Sequence, residues 1–297
     1  MKPIIIKPAS REEWLKARED GIGASEVACV VGLSPWKSAF ELWLLKTKQI
    51  PAQTEETDAQ KFGHKLEAVV ADEWADRTGF KYVKSSAKDI IYQDPEHPWR
   101  KCTPDRIAYE IDENGKRHKV LLEIKTSQMD FDPDNLPVYY LCQVQFQMHI
   151  TGIHVCYLCW LVRGLSYGHA RIEYDEEFAS WLVENVDNFY LECVKGGKQP
   201  DLITVSDYTI KGSDPGTVVE ADDESFSQIL SLRTLNKDLS ARETEAESLK
   251  DAIKLYMGEK ESITRDGQVL ATWKSGARGR TFRLKDKLVD ELIEKGE

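Results

Sequence analysis

The stretch Thr103-Pro104-Asp105-Arg106-Ile107-Ala108-Tyr109-Glu110-Ile111, followed by Asp112-Glu113-Asn114-Gly115 and then Val120-Leu121-Leu122-Glu123-Ile124-Lys125, reads as a β-hairpin. Val120 to Lys125 is rich in branched apolar residues, and successive side chains on a strand alternate between faces. Leu122 and Ile124 therefore point one way while Glu123 and Lys125 point the other, roughly 7 Å apart. The partner strand is Asp105 to Ile111, and loop length decides which of its residues faces Glu123. A two-residue Asn114-Gly115 turn pairs Asp105 with Ile124 and puts its carboxylate on the wrong face. A three-residue loop, Glu113-Asn114-Gly115 with Gly115 left-handed, pairs Asp105 with Glu123 instead. The spacing predicts the odd-length loop.

Side by side, Asp105 and Glu123 make a hard, all-oxygen donor set suited to Mg²⁺ or Mn²⁺, completed by the Ile124 carbonyl, waters and a phosphate. Lys125 can then lower the pKa of an attacking water or stabilise charge building on phosphorus oxygens. The pattern is that of a Mg²⁺-dependent nuclease. Taken alone, it is also that of a solvated hairpin with a surface ion pair.

Ser25 precedes a helical pattern, Glu26 to Val31, that Gly32 can end, and is placed as its N-cap. Ser38-Ala39-Phe40-Glu41 forms a capping box for a helix to about Lys48. Trp36, Phe40, Trp43 and Leu44 make its apolar stripe, read as core in preference to a base-stacking surface. The next helix runs from Asp58 to Thr78 and stops at Gly79. Its Glu67 shares a stripe with Val70, Ala71 and Trp74, and a buried carboxylate needs a partner. That partner is a metal ion or its bound water; the alternative is a pair with Lys65 or Arg77. Phe131 to Pro137 reads as a flexible loop at the edge of the site. A helix over Pro137 to Thr151 turns Leu141, Val144 and Met148 inward and places Tyr139, Gln143 and Gln147 on a neighbouring face. Strands Val155 to Val162 and Gly168 to Tyr174, then an amphipathic helix Glu176 to Lys195, complete an α/β order.

Residues 1–200 form the first domain and 201–223 a polar, acidic linker carrying Gly212 and Pro215-Gly216. Residues 224–297 form an extension. In it Leu235, Leu239, Ala246, Leu249, Ile253 and Tyr256 follow coiled-coil spacing, interrupted by Arg242 and ended by Gly258. A hairpin from Ile263 to Lys274 turns at Asp266-Gly267. Beyond it Lys274, Arg278, Arg280, Arg283, Lys285 and Lys287 make a basic strip, read as contacting phosphates or as a solvated loop.

The 297-residue chain is 41% hydrophobic with a formal net charge of −11. Its length suits one large core with an appendage, or two domains. No apolar stretch approaches the roughly 20 residues that span a bilayer, and the Ile4-Ile5-Ile6 start is too short for a secretory signal. The cytosol is the expected compartment. Cys156-x-x-Cys159 lies in an apolar strand whose alternation separates the sulfurs, so the six cysteines are expected to be buried free thiols without a metal.

Gly23-Ala24-Ser25-Glu26-Val27, Gly63-x-x-x-Glu67, Pro104-Asp105, Glu123-Ile124-Lys125 and Tyr140-x-x-Gln143-x-Gln145 occur in the same order as in the YqaJ-type viral recombinases, which the first 195 or so residues resemble. That family is similar to phage lambda exonuclease and lies within the PD-(D/E)xK nucleases. The resemblance implies a restriction-endonuclease-like core, a mixed central sheet flanked by helices, here with a C-terminal helix and hairpin extension. It implies a 5′-to-3′ exonuclease that resects linear double-stranded DNA to 5′-mononucleotides and leaves 3′ tails for a single-strand annealing protein. It places Glu67, Asp105, Glu123, Lys125 and Gln143 in catalysis, with Tyr140 and Gln147 secondary, and makes Arg18 and Ser25 the seat of the 5′ phosphate. Metal binding falls to Asp105, Glu123, the Ile124 backbone carbonyl and Glu67, for two Mg²⁺ ions that Mn²⁺ can replace. A homo-oligomeric ring of three subunits, a phage or prophage origin and a bacterial host cytoplasm are further implications. Two alternatives stay open: a structure- or sequence-directed DNA endonuclease, and a non-catalytic module that binds DNA ends or a partner.

Overall fold

In the computed structural model, which describes residues 2–51, 56–83, 90–277 and 279–295, the hairpin adopts the odd-loop register. Arg106 faces Leu122 and Ile111 faces Arg117, so the register sets Asp105 opposite Glu123. Gly115 is left-handed at φ 76°, and Asp112 closes the loop by accepting the Asn114 and Lys116 N–H groups at 2.9 Å each.

The elements of the first part of the chain are β1 (Ile4–Ile6), α1 (Arg11–Glu19), β2 (Ile22–Gly23), α2 (Val27–Val30), α3 (Ala39–Lys46), α4 (Asp58–Thr78), β3 (Lys81–Tyr82), β4 (Ile91–Gln93), β5 (Arg100–Cys102), β6 (Arg106–Ile111), β7 (Arg117–Ser127), α5 (Val138–Thr151), β8 (Val155–Val162), β9 (Ser166–Glu173), α6 (Glu176–Asn188) and α7 (Val205–Lys211). The main sheet runs β3-β6-β7-β8-β9. It is mixed: β7 and β8 are parallel, and its other neighbours are antiparallel. A smaller sheet runs β1-β4-β5-β2.

Alternation along β7 divides the core between the two faces of the sheet. Val120, Leu122 and Ile124 pack with Val70, Ala71 and Trp74 of α4. Leu121 packs with Val144 and Met148 of α5. Helix α5 is buried nearly all round, because Cys142, Phe146 and Ile150 join a third cluster with α2, α3 and α6. A helix apolar on every side belongs in the interior. The layers, helix on mixed sheet on helix, make an α/β core.

Thr57 caps α4 and left-handed Gly79 ends it; Gly152 ends α5 in the same way. Cys156 and Cys159 fall in different clusters on opposite sheet faces, as strand alternation requires. All six cysteines are free and five are buried, while Cys193 is only half-buried. Trp160 lies across Gly168, its partner in the neighbouring strand. A Cβ at Gly168 would sit 2.4 Å from the indole. Gly168→Ala is therefore expected to destabilise the protein by about 1–3 kcal/mol, the range for overpacking a core, read by chemical denaturation.

The chain divides between Ser213 and Asp214, within the segment read as linker. Residues 205–211 are not linker: they form α7, whose Asp207 is buried and accepts a hydrogen bond from the Ser38 hydroxyl at the start of α3. Polar composition concealed this because the contact spans 169 positions.

The second part consists of α8 (Asp223–Met257), β10 (Ser262–Arg265), β11 (Gln268–Gly276), β12 (Gly279–Leu284) and α9 (Asp286–Lys295). Helix α8 ends at Gly258. Arg265 pairs with Gln268 across a two-residue Asp266-Gly267 turn, with both residues at positive φ. Part of the basic strip is a third strand. Arg280 lies 3.6 Å over the Trp273 ring and donates to the Gly258 and Lys260 carbonyls at 2.6 Å each; it holds the hairpin to the end of α8 and is not available to a phosphate. Lys274, Arg283, Lys285 and Lys287 are exposed, and Arg278 lies outside the described residues. Among the described residues no helix is long and apolar enough to cross a membrane.

Candidate active site

The alternation that buries Leu121 toward α5 brings Glu123 and Lys125 to the same face, where α5 presents Gln143 and Gln147. The Lys125 ammonium donates to Glu123 Oε1 at 2.6 Å and to Gln143 Oε1 at 3.0 Å. Gln143 Nε2 donates to Glu123 Oε1 at 2.5 Å, and Gln147 Nε2 to Glu123 Oε2 at 2.8 Å. Gln147 is fully buried and its own Oε1 has no partner among the described residues. The reciprocal amide of Gln143 and the one-sided amide of Gln147 fix the Glu123 carboxylate in place. Tyr140, one turn before Gln143, lies with its ring 5.0 Å from the Lys125 ammonium.

Asp105 ends the loop before β6, and its Oδ2 accepts the Ile124 N–H at 2.7 Å. Burial pushes the Asp105 carboxyl well above the usual carboxylate range; the Glu123 charge adds to this, as does Glu67 more weakly, and Lys125 opposes it. Burial would lower the Lys125 ammonium, but the Glu123 and Asp105 charges outweigh it and the pKa rises. Lys125 is therefore charged at neutral pH and cannot act there as a base.

Glu67 is placed differently from the expectation. Arg106 faces Leu122 across the hairpin, so its side chain lies on the α4 face, 3.5 Å from Glu67 Oε2. Both are buried. Arg106 is a partner that the spacing along α4 does not offer. Strand parity sends residue 106 to the opposite face from residue 105, which no reading of α4 alone reveals. Among the described residues no three His, Cys, Asp or Glu side chains lie close enough to hold a metal together.

Arg18 lies near the end of α1, its guanidinium 4.3 Å over the Trp14 ring and 3.1 Å from where a Gly23 Cβ would stand. Burial lowers its pKa, and Glu26 partly offsets this. Lys101, from β5, donates to the Ala17 carbonyl at 2.6 Å and to that of Asp20, which anchors the end of α1 beneath Arg18. Ser25 is exposed and is not an N-cap. A 3₁₀ turn starts at Ala24, and Glu26 Oε2 reaches back to the Gly23 N–H at 2.8 Å. The helical path thus begins ahead of Ser25 and leaves its hydroxyl unused by a cap. Arg18, in the last turn of α1, and Ser25, in the 3₁₀ turn, lie on either side of Gly23 in the chain, and the Cys102 thiol feels the charges of both Arg18 and Glu123.

Trp36 departs from the sequence reading. Helix α3 starts after Ser38, so Phe40, Trp43 and Leu44 are buried while Trp36 is 67% exposed. Its ring lies 4.7 Å from Tyr139 and 6.3 Å from Tyr140. The loop that begins at Phe131 is anchored: Phe131 packs 5.5 Å from Tyr140 and 5.4 Å from Trp160, and Asp130 accepts the Trp160 indole N–H at 2.8 Å.

Residues 13–154 match the family model described as the YqaJ-like viral recombinase domain. The uncharacterized protein YqaJ of Bacillus subtilis strain 168 is 28% identical over 295 residues, covering 95% of this chain and 89% of its own. Among solved structures, the alkaline exonuclease LHK-Exo of Laribacter hongkongensis is 22% identical over 63% of this chain and 93% of its own, with a TM-score of 0.49. A phage related exonuclease from Haemophilus somnus 129PT is 12% identical over 60% of this chain and 96% of its own, with a TM-score of 0.43.

Proposed function

We propose that this chain is a Mg²⁺-dependent nuclease that shortens linear double-stranded DNA from its 5′ ends, leaving 3′ single-stranded tails for recombination by strand annealing; the match of residues 13–154 to the model of the YqaJ-like viral recombinase domain supports this reading. The observation that carries this reading is the convergence of Asp105, Glu123, Lys125 and Gln143 from three separate segments onto one sheet face.

The donor set fits a divalent cation. Two hard carboxylates lie close enough for Glu123 to raise the Asp105 pKa, a repulsion that a cation between them relieves. Asp105, Glu123 and the Ile124 carbonyl are the groups that would hold Mg²⁺, or Mn²⁺ in its place. When bound, the ion would activate water and neutralise phosphate charge. Glu67 lies 3.5 Å from Arg106 and its charge adds weakly to the repulsion at Asp105; the second ion that the resemblance implies is given no ligands in this reading.

The chain's own groups then have distinct tasks. Lys125 remains an ammonium and stabilises the charge that builds on the phosphorus oxygens. Glu123 and Gln143 occupy two of its three protons and leave the third for the phosphate. Hydrolysis adds water across the P–O3′ bond, giving a 5′ phosphate and a 3′ hydroxyl. Arg18, with the free Ser25 hydroxyl, receives the 5′ phosphate at the DNA end. A ring of subunits and an annealing partner are part of this reading.

The test uses purified protein, Mg²⁺ and linear duplex labelled at one 5′ end, beside a covalently closed circle and Asp105→Ala. Labelled mononucleotide from the linear DNA alone, absent with Asp105→Ala, is the expected result. Nicking of the circle would replace this reading with an endonuclease; cleavage of neither would leave a binding module.

A further inference from the structure

The exposed Trp36 is unlike the other large aromatic side chains around it. A single exposed apolar side chain is ordinary on a protein surface and implies nothing by itself. Three features separate Trp36 from that background. Its loop is fixed: the Leu33 and Ser34 N–H groups donate to the Ala28 carbonyl at 2.8 and 3.0 Å, and Ser34 Oγ accepts the Trp36 and Lys37 N–H groups at 3.3 Å each. Ser38, at the other end of the loop, is tied to buried Asp207, which also accepts the Ile203 and Thr204 N–H groups at 3.1 and 2.9 Å. The indole is seated on Tyr139 and Tyr140, two rings that pack edge-on at 4.5 Å. Finally, the Tyr140 ring neighbours both groups, 6.3 Å from the Trp36 ring and 5.0 Å from the Lys125 ammonium.

A rigid loop thus holds an indole two-thirds exposed beside the group assigned to the scissile phosphate. Within a duplex both faces of a base are covered by its neighbours, so only an unpaired or terminal base can lie on an indole. We infer that Trp36, seated on Tyr139 and Tyr140, is a stacking surface for an unpaired nucleobase of the strand held at Lys125. The inference rests on the nuclease reading above. Stacking every base by its π-face gives affinity without sequence preference, which suits an enzyme that must accept whatever sequence an end presents. By keeping the end base off its complement, the stack also favours the frayed end over the closed duplex.

The experiment compares the full-length wild-type protein with Trp36→Ala and Trp36→Phe, with Mg²⁺. One substrate is linear duplex; the other is the same duplex with abasic residues at the first two positions of each 5′ strand. The stacking range of an aromatic residue per base corresponds to a loss of about fivefold to a hundredfold in kcat/KM for Trp36→Ala on natural DNA. The loss is expected mainly in KM, with most of it restored in Trp36→Phe. On abasic DNA the three proteins are expected to be equal. Equal rates on natural DNA, or a Trp36→Ala defect undiminished on abasic DNA, would overturn the assignment. So would a changed sedimentation coefficient in Trp36→Ala, which would make Trp36 a contact between copies of the chain. Wild-type protein that degrades the DNA but is indifferent to position 36 removes only this inference, whereas wild-type protein that degrades nothing removes the nuclease reading with it.

Discussion

Changing Glu123 to Gln is expected to lower DNA cleavage by about a thousand-fold or more, equivalent to roughly 4 kcal/mol of barrier, while the protein stays folded. The side chain keeps its volume, and its amide can still bond Gln143 and Gln147, whose groups surround it at 2.5 and 2.8 Å. What disappears is the negative charge. It is one of two carboxylates assigned to the cation, and it is also the nearest counter-charge to Lys125, at 2.6 Å. Without it the ammonium turns toward Asp105 and both groups leave the positions in which they would meet a phosphate. Single-turnover rates at saturating DNA, with circular dichroism melts of both proteins, measure the effect. Cleavage within tenfold of wild type would remove Glu123 from the chemistry.

The second large effect is on stability and lies away from the cluster. Arg100, buried on β5, donates to Asp94 Oδ2 and Asp187 Oδ1 at 2.9 Å each, with a further bond to Asp187 Oδ2. Trp99 adds an indole N–H to Asp187 at 2.7 Å. This network ties β5 to α6 and so holds the strand that carries Lys101 and Cys102. Arg100→Met leaves the two carboxylates without their cation, and breaking a buried pair in this way costs about 3–5 kcal/mol. The loss is read by urea denaturation at neutral pH.

Its pH dependence has a definite sign. For both Asp94 and Asp187 burial acts to raise the pKa, but hydrogen bonds and the Arg100 charge outweigh it and hold each carboxyl below its ordinary value. A depressed folded-state pKa contributes stability above the unfolded value of about 3.9, and that stability is lost as pH falls through the folded value. The gap between wild type and Arg100→Met is therefore expected to narrow below about pH 4. A gap as wide at pH 3 as at pH 7 would mean that packing, not charge, accounts for the loss.

These two sites differ in how far sequence could reveal them. The β6–β7 hairpin was legible because its information is local: alternation sets the faces, and the Asp112-to-Gly115 loop sets the register. The end of α4 was legible for the same reason, through Gly79. The Arg100 network was not, because Asp187 lies 87 positions away and nothing in the intervening sequence marks the pair. The partner of Glu67 was missed similarly, since Arg106 reaches it only through the packing of α4 on the sheet. Trp36 fits the helical spacing of Phe40 and Trp43, yet the helix begins at Ala39, too late to include it. Ser25 has the chemistry of a cap, but Glu26 takes the task with a longer side chain. Local periodicity and capping fixed the elements, while pairings made only on folding decided which polar residues meet.

The most direct test of the proposed metal site is a Mn²⁺ titration of the wild-type protein and of Asp105→Asn, followed by electron paramagnetic resonance of the free ion. Asn keeps the size of the side chain and can still accept the Ile124 N–H that Asp105 Oδ2 accepts at 2.7 Å. Saturable binding of one Mn²⁺ by the wild type, lost in Asp105→Asn and displaced by Mg²⁺, is the expected result. Equal binding by both proteins, or none by the wild type at millimolar metal, would contradict a cation held between Asp105 and Glu123.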